Sequence, residues 1–273
     1  MNIKIRGVSY YFEIHQENHE LPTLVLLHGF MGSGKVFEHL IQELKIYCNP
    51  VTIDLLGHGR SEGAELHYRF STKEQVTDLS KLISEQLQVP LFLYGYSMGG
   101  RLALQLAKHR PDLFKGLILE SATFGLEGET ERQARQALDA RRADAIVGNF
   151  EGFLTDWQKM PMFRSDKIEP ELMTSMMQIQ KDQNPFWLSN SLLGFGTGTM
   201  PCVKKDLKDI RIPVKLLAGK NDSKFLHVNN QMEKELPSAE LGIVEDAGHR
   251  IHLEQPGKLN RILKTFIQNH NRS

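Results

Sequence analysis

The chain has 273 residues, 40% of them hydrophobic and 24% charged, and its 33 Lys plus Arg balance 33 Asp plus Glu. This is the composition of a globular domain, or of a domain carrying an insertion, and zero net charge gives no reason to expect nucleic acid or an anionic membrane as partner. Two distant cysteines, Cys48 and Cys202, lack metal-ligand spacing, and no apolar run resembles a leader or could span a bilayer, so a cytoplasmic protein with free thiols is expected.

Residues 2–15 alternate polar and apolar like a half-exposed hairpin with Gly7 near its turn. The continuous apolar run Leu24-Val25-Leu26-Leu27-His28 predicts a strand buried on both faces. Helix-period and strand-like segments then alternate: helix 36–46, strand 51–54, helix 72–88, strand 91–94, helix 98–109 and strand 117–120. From about 123 to 205 no convincing strand is found. That stretch holds an arginine-rich helix (129–147), an aromatic segment (150–163), a methionine-rich helix (170–181) and a Gly/Thr/Ser-rich stretch (191–199). The alternation resumes with strand 214–218, helix 226–235, strand 240–244 and helix 255–269. The pattern predicts an α/β fold with a mostly parallel sheet and helices on both faces. Residues 1–122 and 206–273 would form its core, and 123–205 a helical lid over the carboxyl edge, where open α/β sheets bind ligands.

Gly95-Tyr96-Ser97-Met98-Gly99 sits between the strand 91–94 and the helix 98–109. A serine at such a strand-to-helix turn is held proud of the sheet edge as a nucleophile, whereas a glycine-rich turn with a capping serine is the plainer alternative. A nucleophile at this kind of elbow draws its acid and its base from later strand ends, in the order Ser, Asp or Glu, His. Asp222 follows the strand ending at Ala218, and His249 follows the strand ending at Val244. Asp222 could instead cap the helix beginning near Phe225, and His249 could be a surface histidine. Asp246 is the second candidate acid, close in sequence to His249. The oxyanion hole needs two backbone amides. Met98, after the nucleophile, supplies one, and Phe30 in the loop His28-Gly29-Phe30-Met31-Gly32 is the candidate for the other. Gly29–Lys35 also matches G-x-x-x-x-G-K. Val36 stands where a phosphate loop needs Ser or Thr to hold magnesium, so nucleotide binding is not expected.

Arg101, one helical turn past Ser97, shares its face of the helix and places a cation beside the nucleophile. Arg132, Arg135 and Arg142 share one face of the helix 129–147, where they either grip carboxylates or lie solvated with Glu131 pairing Arg135.

With His28-Gly29-Phe30, Asp54-Leu55-Leu56-Gly57-His58-Gly59-Arg60-Ser61, Gly95–Gly100 and Ala247-Gly248-His249 in order, the chain resembles the α/β-hydrolase superfamily over nearly its full length. Arg101, Glu131–Gln136, Asp156–Phe163 and Asn221–Phe225 make it similar, within that superfamily, to the 2-succinyl-6-hydroxy-2,4-cyclohexadiene-1-carboxylate synthases of menaquinone biosynthesis. That resemblance implies a lyase that eliminates pyruvate from 2-succinyl-5-enolpyruvyl-6-hydroxy-3-cyclohexene-1-carboxylate. It implies a catalytic Ser97, Asp222 and His249, and substrate-binding roles for Arg101, Arg135, Arg132, Tyr96 and Trp157. It ranks Arg135 above Arg132, and leaves Trp157 as either a pocket wall or a packing residue of the lid. No cofactor or metal is expected, the partner is a small polycarboxylate, and the chain is a monomer or weak homo-oligomer. The other readings are a serine hydrolase of a carboxylated ester, thioester or C–C bond, and a noncatalytic receptor on the same fold.

Overall fold

The apolar runs at the centre of the chain become inner strands because both of their faces are covered. The computed structural model describes residues 1–271. Its strands are β1 (Asn2–Ile5), β2 (Val8–Ile14), β3 (Thr23–Leu27), β4 (Asn49–Ile53), β5 (Leu91–Tyr96), β6 (Phe114–Glu120), β7 (Val214–Gly219) and β8 (Ala239–Val244). They form one sheet in the order β1-β2-β4-β3-β5-β6-β7-β8. The β1–β2 and β2–β4 pairs are antiparallel. Every pair from β4 to β8 is parallel. The β1–β2 hairpin closes over Arg6-Gly7, both with positive φ (47° and 91°), the twist that a two-residue hairpin turn favours.

The helices are α1 (Glu38–Leu44), α2 (Thr72–Gln86), α3 (Met98–His109), α4 (Glu129–Gly148), α5 (Phe150–Gln158), α6 (Pro170–Lys181), α7 (Pro185–Phe195), α8 (Ser223–Glu235), α9 (Ile251–Glu254) and α10 (Pro256–His270). Side-chain alternation along β3 sorts the core into two layers. Val25 and Leu27 pack with Leu79 of α2 and Leu102 and Leu106 of α3. Leu24 and Leu26 pack with Leu40 and Leu44 of α1 and Leu259 and Leu263 of α10. Between β3 and β5 the chain order reverses, since β4 lies on one side of β3 and β5 on the other. That switch point opens a crevice at the carboxyl ends of the two strands.

Helices α4 to α7 all lie between β6 and β7 in the chain. Within the helical lid the sequence delimits no separate helix over 185–195, half of which falls in the Gly/Thr/Ser-rich stretch, and the structure forms one there. Its start is signalled by Asn184, whose side chain accepts from Trp187 N at 3.1 Å, and by Pro185 in the first turn. Its polar residues are buried rather than looped out: Asn190 donates to the carbonyls of Ala64 and Glu65 at 3.0 and 3.2 Å. Tertiary partners override composition there. The predicted helix 36–46 is likewise shorter, a 3₁₀ turn over Gly34–Phe37 followed by α1. Among the described residues no helix is long and apolar enough to cross a membrane.

Candidate active site

Ser97 leaves β5 and caps α3 with φ 50° and ψ −106°, a conformation that costs a non-glycine residue energy and is kept only where its surroundings enforce it. Its amide donates to the Glu120 carbonyl on β6 at 2.8 Å, and its carbonyl accepts from Arg101 N at 3.0 Å. The flanking glycines serve close packing. A Cβ on Gly95 would sit 2.6 Å from Gly100 Cα, and one on Gly99 would sit 2.4 Å from the Leu27 carbonyl oxygen. The first turn of α3 can therefore press against the ends of β3 and β5.

His249, 1% exposed, reaches Ser97 Oγ through Nε2 at 3.2 Å and Asp222 Oδ2 through Nδ1 at 2.7 Å. The Asp222 carboxylate has one oxygen toward each of two partners. Oδ2 faces His249, and Oδ1 accepts from Phe225 N at 3.3 Å as the cap of α8. The capping bond orients the carboxylate toward the imidazole. Asp246 points elsewhere, its Oδ2 lying 3.4 Å from Lys258 Nζ near the surface.

The loop after β3 is pinned from below. His28 Nε2 accepts from Leu55 N at 3.0 Å, so Nδ1 carries the proton and donates to Gly29 O at 2.7 Å. Burial lowers the His28 pKa to about 4, in keeping with that neutral tautomer. Phe30 and Met98 line the same cavity as Ser97, and Met98 opens α3, where helix amides have no intrahelical acceptor. The phosphate-loop look-alike is occupied from within: Gly34 N donates to Asp54 Oδ1 at 2.6 Å, and Arg60 N to Asp54 Oδ2 at 2.8 Å.

Above the elbow is a cavity of about 620 Å³, lined by Ser97, Phe30, Met98, Tyr96, Arg101, Arg135 and Trp157 among others. That is within the range of sites for small organic ligands. Arg101 Nη1 donates to the Phe195 carbonyl at 3.0 Å and lies 3.3 Å from Met200 Sδ, both neutral acceptors. Burial, then Arg135, lower its pKa to about 9, with Asp139 opposing. Arg135 Nε is 2.9 Å from both oxygens of Asp139, so its helix partner is Asp139 and not Glu131. Arg142 is 3.7 Å from the same carboxylate and lies over the Trp157 ring at 5.3 Å. Trp157 also meets Phe30 edge-on at 5.5 Å. Arg132 is not brought into the lining. Its carbonyl instead packs close to Gly198.

Several lining residues were not singled out from the sequence. Lys224, two residues past Asp222, has its pKa lowered by burial and then by Arg135, with Arg142 and Arg101 adding to the effect and Asp222 opposing it. Arg250 lines the cavity directly after His249. His252 also lines the cavity, and behind it the fully buried Glu120 accepts from the Tyr94 hydroxyl, from His252 N at 3.3 Å and from His252 Nδ1 at 2.8 Å. The positions of Lys224 near Asp222 and of Arg250 directly after His249 offered a signal in sequence. The others depend on contacts between distant segments.

The arrangement places a base, a hydroxyl, backbone donors and an excess of cations around one cavity. The family model for the alpha/beta hydrolase fold matches residues 22–256. The chain belongs to the alpha/beta hydrolase family. Among its relatives, a Bacillus subtilis (strain 168) protein provisionally named 2-succinyl-6-hydroxy-2,4-cyclohexadiene-1-carboxylate synthase is 36% identical over 90% of both chains. The enzyme of that name from Serratia proteamaculans (strain 568) is 28% identical, over 94% of this chain and 97% of its own. The solved structure of MenH from S. aureus superposes with a TM-score of 0.90 at 29% identity, covering 96% of this chain and 98% of that one.

Proposed function

We propose that this alpha/beta hydrolase is a carbon–oxygen lyase of menaquinone biosynthesis. It converts 2-succinyl-5-enolpyruvyl-6-hydroxy-3-cyclohexene-1-carboxylate into pyruvate and 2-succinyl-6-hydroxy-2,4-cyclohexadiene-1-carboxylate, the product in its relatives' names. The observation that carries the reading is the pairing of a hydrogen-bonded Ser97–His249–Asp222 array with a cluster of four of the cavity's cations, Arg101, Arg135, Arg142 and Lys224, Arg250 lining it as well. Among the described residues, Asp139 is the one carboxylate ion-paired with them. Of the lining acids, Glu127 is paired with Lys204 at 2.7 Å, and Glu131 is exposed. A site with this surplus suits a substrate with several carboxylates, and guanidinium forks bind them directionally.

In this mechanism Ser97 takes the ring proton next to the succinyl ketone and passes its own proton to His249, whose imidazolium Asp222 stabilises. The electron pair moves onto the ketone oxygen, which the Phe30 and Met98 amides receive; one such donor is typically worth ~3 kcal/mol. As the enolate collapses, its electron pair forms a new double bond within the ring, the existing ring double bond shifts by one position and the C–O bond to the enolpyruvyl group breaks. The departing enolate is protonated on its methylene carbon to give pyruvate, and the proton held on His249 returns through Ser97, so the base is reset. No acyl-enzyme forms. Arg101 and Arg135 hold the carboxylates, Tyr96 and Trp157 shape the walls, and the helices α4 to α7 act as a lid excluding water. We place the reaction in the cytoplasm, on the two free cysteines.

A lactate-dehydrogenase-coupled assay on the enolpyruvyl substrate tests the proposal. Pyruvate release that is abolished in Ser97→Ala supports it. A burst of acyl-enzyme on aryl esters with no pyruvate release refutes it in favour of a hydrolase.

A further inference from the structure

Arg250 follows His249 directly, is 5% exposed and, among the described residues, has no carboxylate in ion-pair contact. Its Nη2 donates to the Phe163 carbonyl, its Nη1 lies 2.9 Å from the Met176 thioether, and its buried Nε has no hydrogen-bond partner. The two carboxylates nearest in sequence are otherwise engaged, Asp246 lying 3.4 Å from Lys258 Nζ. Glu254 accepts from the Gly248 amide at 2.6 Å and from the Arg250 amide at 3.0 Å, one oxygen each. Among the described residues, no acid lies within ion-pair distance of the Arg250 guanidinium.

Burying a cation against neutral acceptors is costly, and thioether sulfur is a weak acceptor. Burial lowers the Arg250 pKa, with Tyr96 and then Glu254 opposing. Arg101, Arg142 and Lys224 feel Arg135, and Lys224 feels all three of those arginines. Arg250 contacts Phe163 and Met176, whereas Arg101 contacts Phe195 and Met200 and Arg135 and Arg142 contact Asp139, so Arg250 stands on a different part of the wall of the same cavity. Its two side-chain partners, Phe163 and Met176, belong to the segment between β6 and β7 and also line the cavity, so a ligand can take their place.

We propose that Arg250 is a second, separate carboxylate-binding point of this cavity, at which a ligand carboxylate displaces Met176 from Nη1. The inference rests on the polycarboxylate reading above and deepens it: the cluster around Arg101 holds one end of the substrate, and Arg250 holds a carboxylate at another. Arg250 is then a specificity residue that requires acid groups at separated positions.

The test is calorimetric binding of 2-(3-carboxypropanoyl)benzoate, an aromatic analogue of the product, and of its dimethyl ester, to wild type and to Arg250→Met and Arg250→Lys. Losing one charge-assisted contact should weaken dicarboxylate binding to Arg250→Met by about tenfold to a hundredfold. Binding of the neutral diester should stay as in wild type, and Arg250→Lys should fall between. In turnover the loss should appear in KM more than in kcat. The thermal midpoint of Arg250→Met should stay at or above that of wild type, since an uncompensated buried charge is removed. Equal losses for diacid and diester would show that Arg250 only straps Phe163 and Met176 in place, and would overturn the proposal. So would unchanged diacid affinity in Arg250→Met. If Arg250→Met does not fold, Arg250→Lys decides by the same diacid-to-diester ratio. Binding is read without turnover, so a wild type that releases no pyruvate while the diacid-to-diester ratio still depends on Arg250 would refute the lyase and leave this site standing.

Discussion

The floor and the roof of the cavity are built differently. On the floor, Ser97, His249, Asp222, His28 and Glu120 each have partners at hydrogen-bond distance, supplied by strand ends and helix caps. On the roof and flanks, Arg101 and Arg250 lean on thioethers, carbonyls and aromatic rings. The first set is rigid because the sheet and its buried hydrogen bonds hold it. The second set is exchangeable because neutral acceptors are weak competitors for a guanidinium when a carboxylate arrives. Proton transfer needs a fixed geometry, whereas recognition needs groups that give up their present partners.

The largest effect should come from the floor. His249→Ala should lower kcat for pyruvate release by ~10²–10⁴, the range of a positioned general base, with little change in KM. Asp222→Asn should also lower kcat severely, while Asp246→Asn should leave it unaltered; the reverse order would relocate the acid. Because Asp222 also caps α8, Asp222→Ala should unfold more easily than Asp222→Asn by about 1 kcal/mol in denaturant titration.

On the roof side, Arg101→Met should raise KM for the polycarboxylate by about tenfold to a hundredfold, the loss of one charge-assisted bond, with a melting temperature close to wild type. A fall in stability with KM unmoved would make Arg101 a packing residue and erase the contrast. The smallest effect concerns pH. Burial drives the pKa of His28 to about 4 and, with His28 as the next cause, that of His58 to about 3, from 6.5. Both are neutral in the fold, so below 6.5 the unfolded chain binds more protons. Their contribution to stability should be present above about pH 6.5 and be lost as pH falls toward 3. Denaturation midpoints measured across that window check it, and His58→Asn should flatten the slope.

The strands and the elbow were legible because their signals are local. Apolar runs, Gly95-x-Ser97-x-Gly99 and the strand-to-helix switch all fall within a few residues of one another. Asp222 and His249 were legible by their order after strands. The capping bond that orients Asp222 was read as a competing role, since sequence does not show that one carboxylate has an oxygen for each. The helix Pro185–Phe195 was missed because its polar residues look like a loop until Asn190 meets the carbonyls of Ala64 and Glu65. Among the arginines, helical periodicity grouped Arg132 with Arg135 and Arg142 on one face. Only packing decides which of that face meets the cavity.

Sequence alone determined the parallel α/β architecture, the sharp turn at Ser97 and the order of the residues that follow it, because period, turn chemistry and strand ends act over short range. Tertiary structure decided which charges are left without a carboxylate. Asp139 is taken up by Arg135 and Arg142, and Glu254 by two backbone amides, while Arg101 and Arg250 are left with neutral acceptors. A sequence with equal numbers of acids and bases conceals that imbalance, because pairing is settled by which side chains the fold brings within reach.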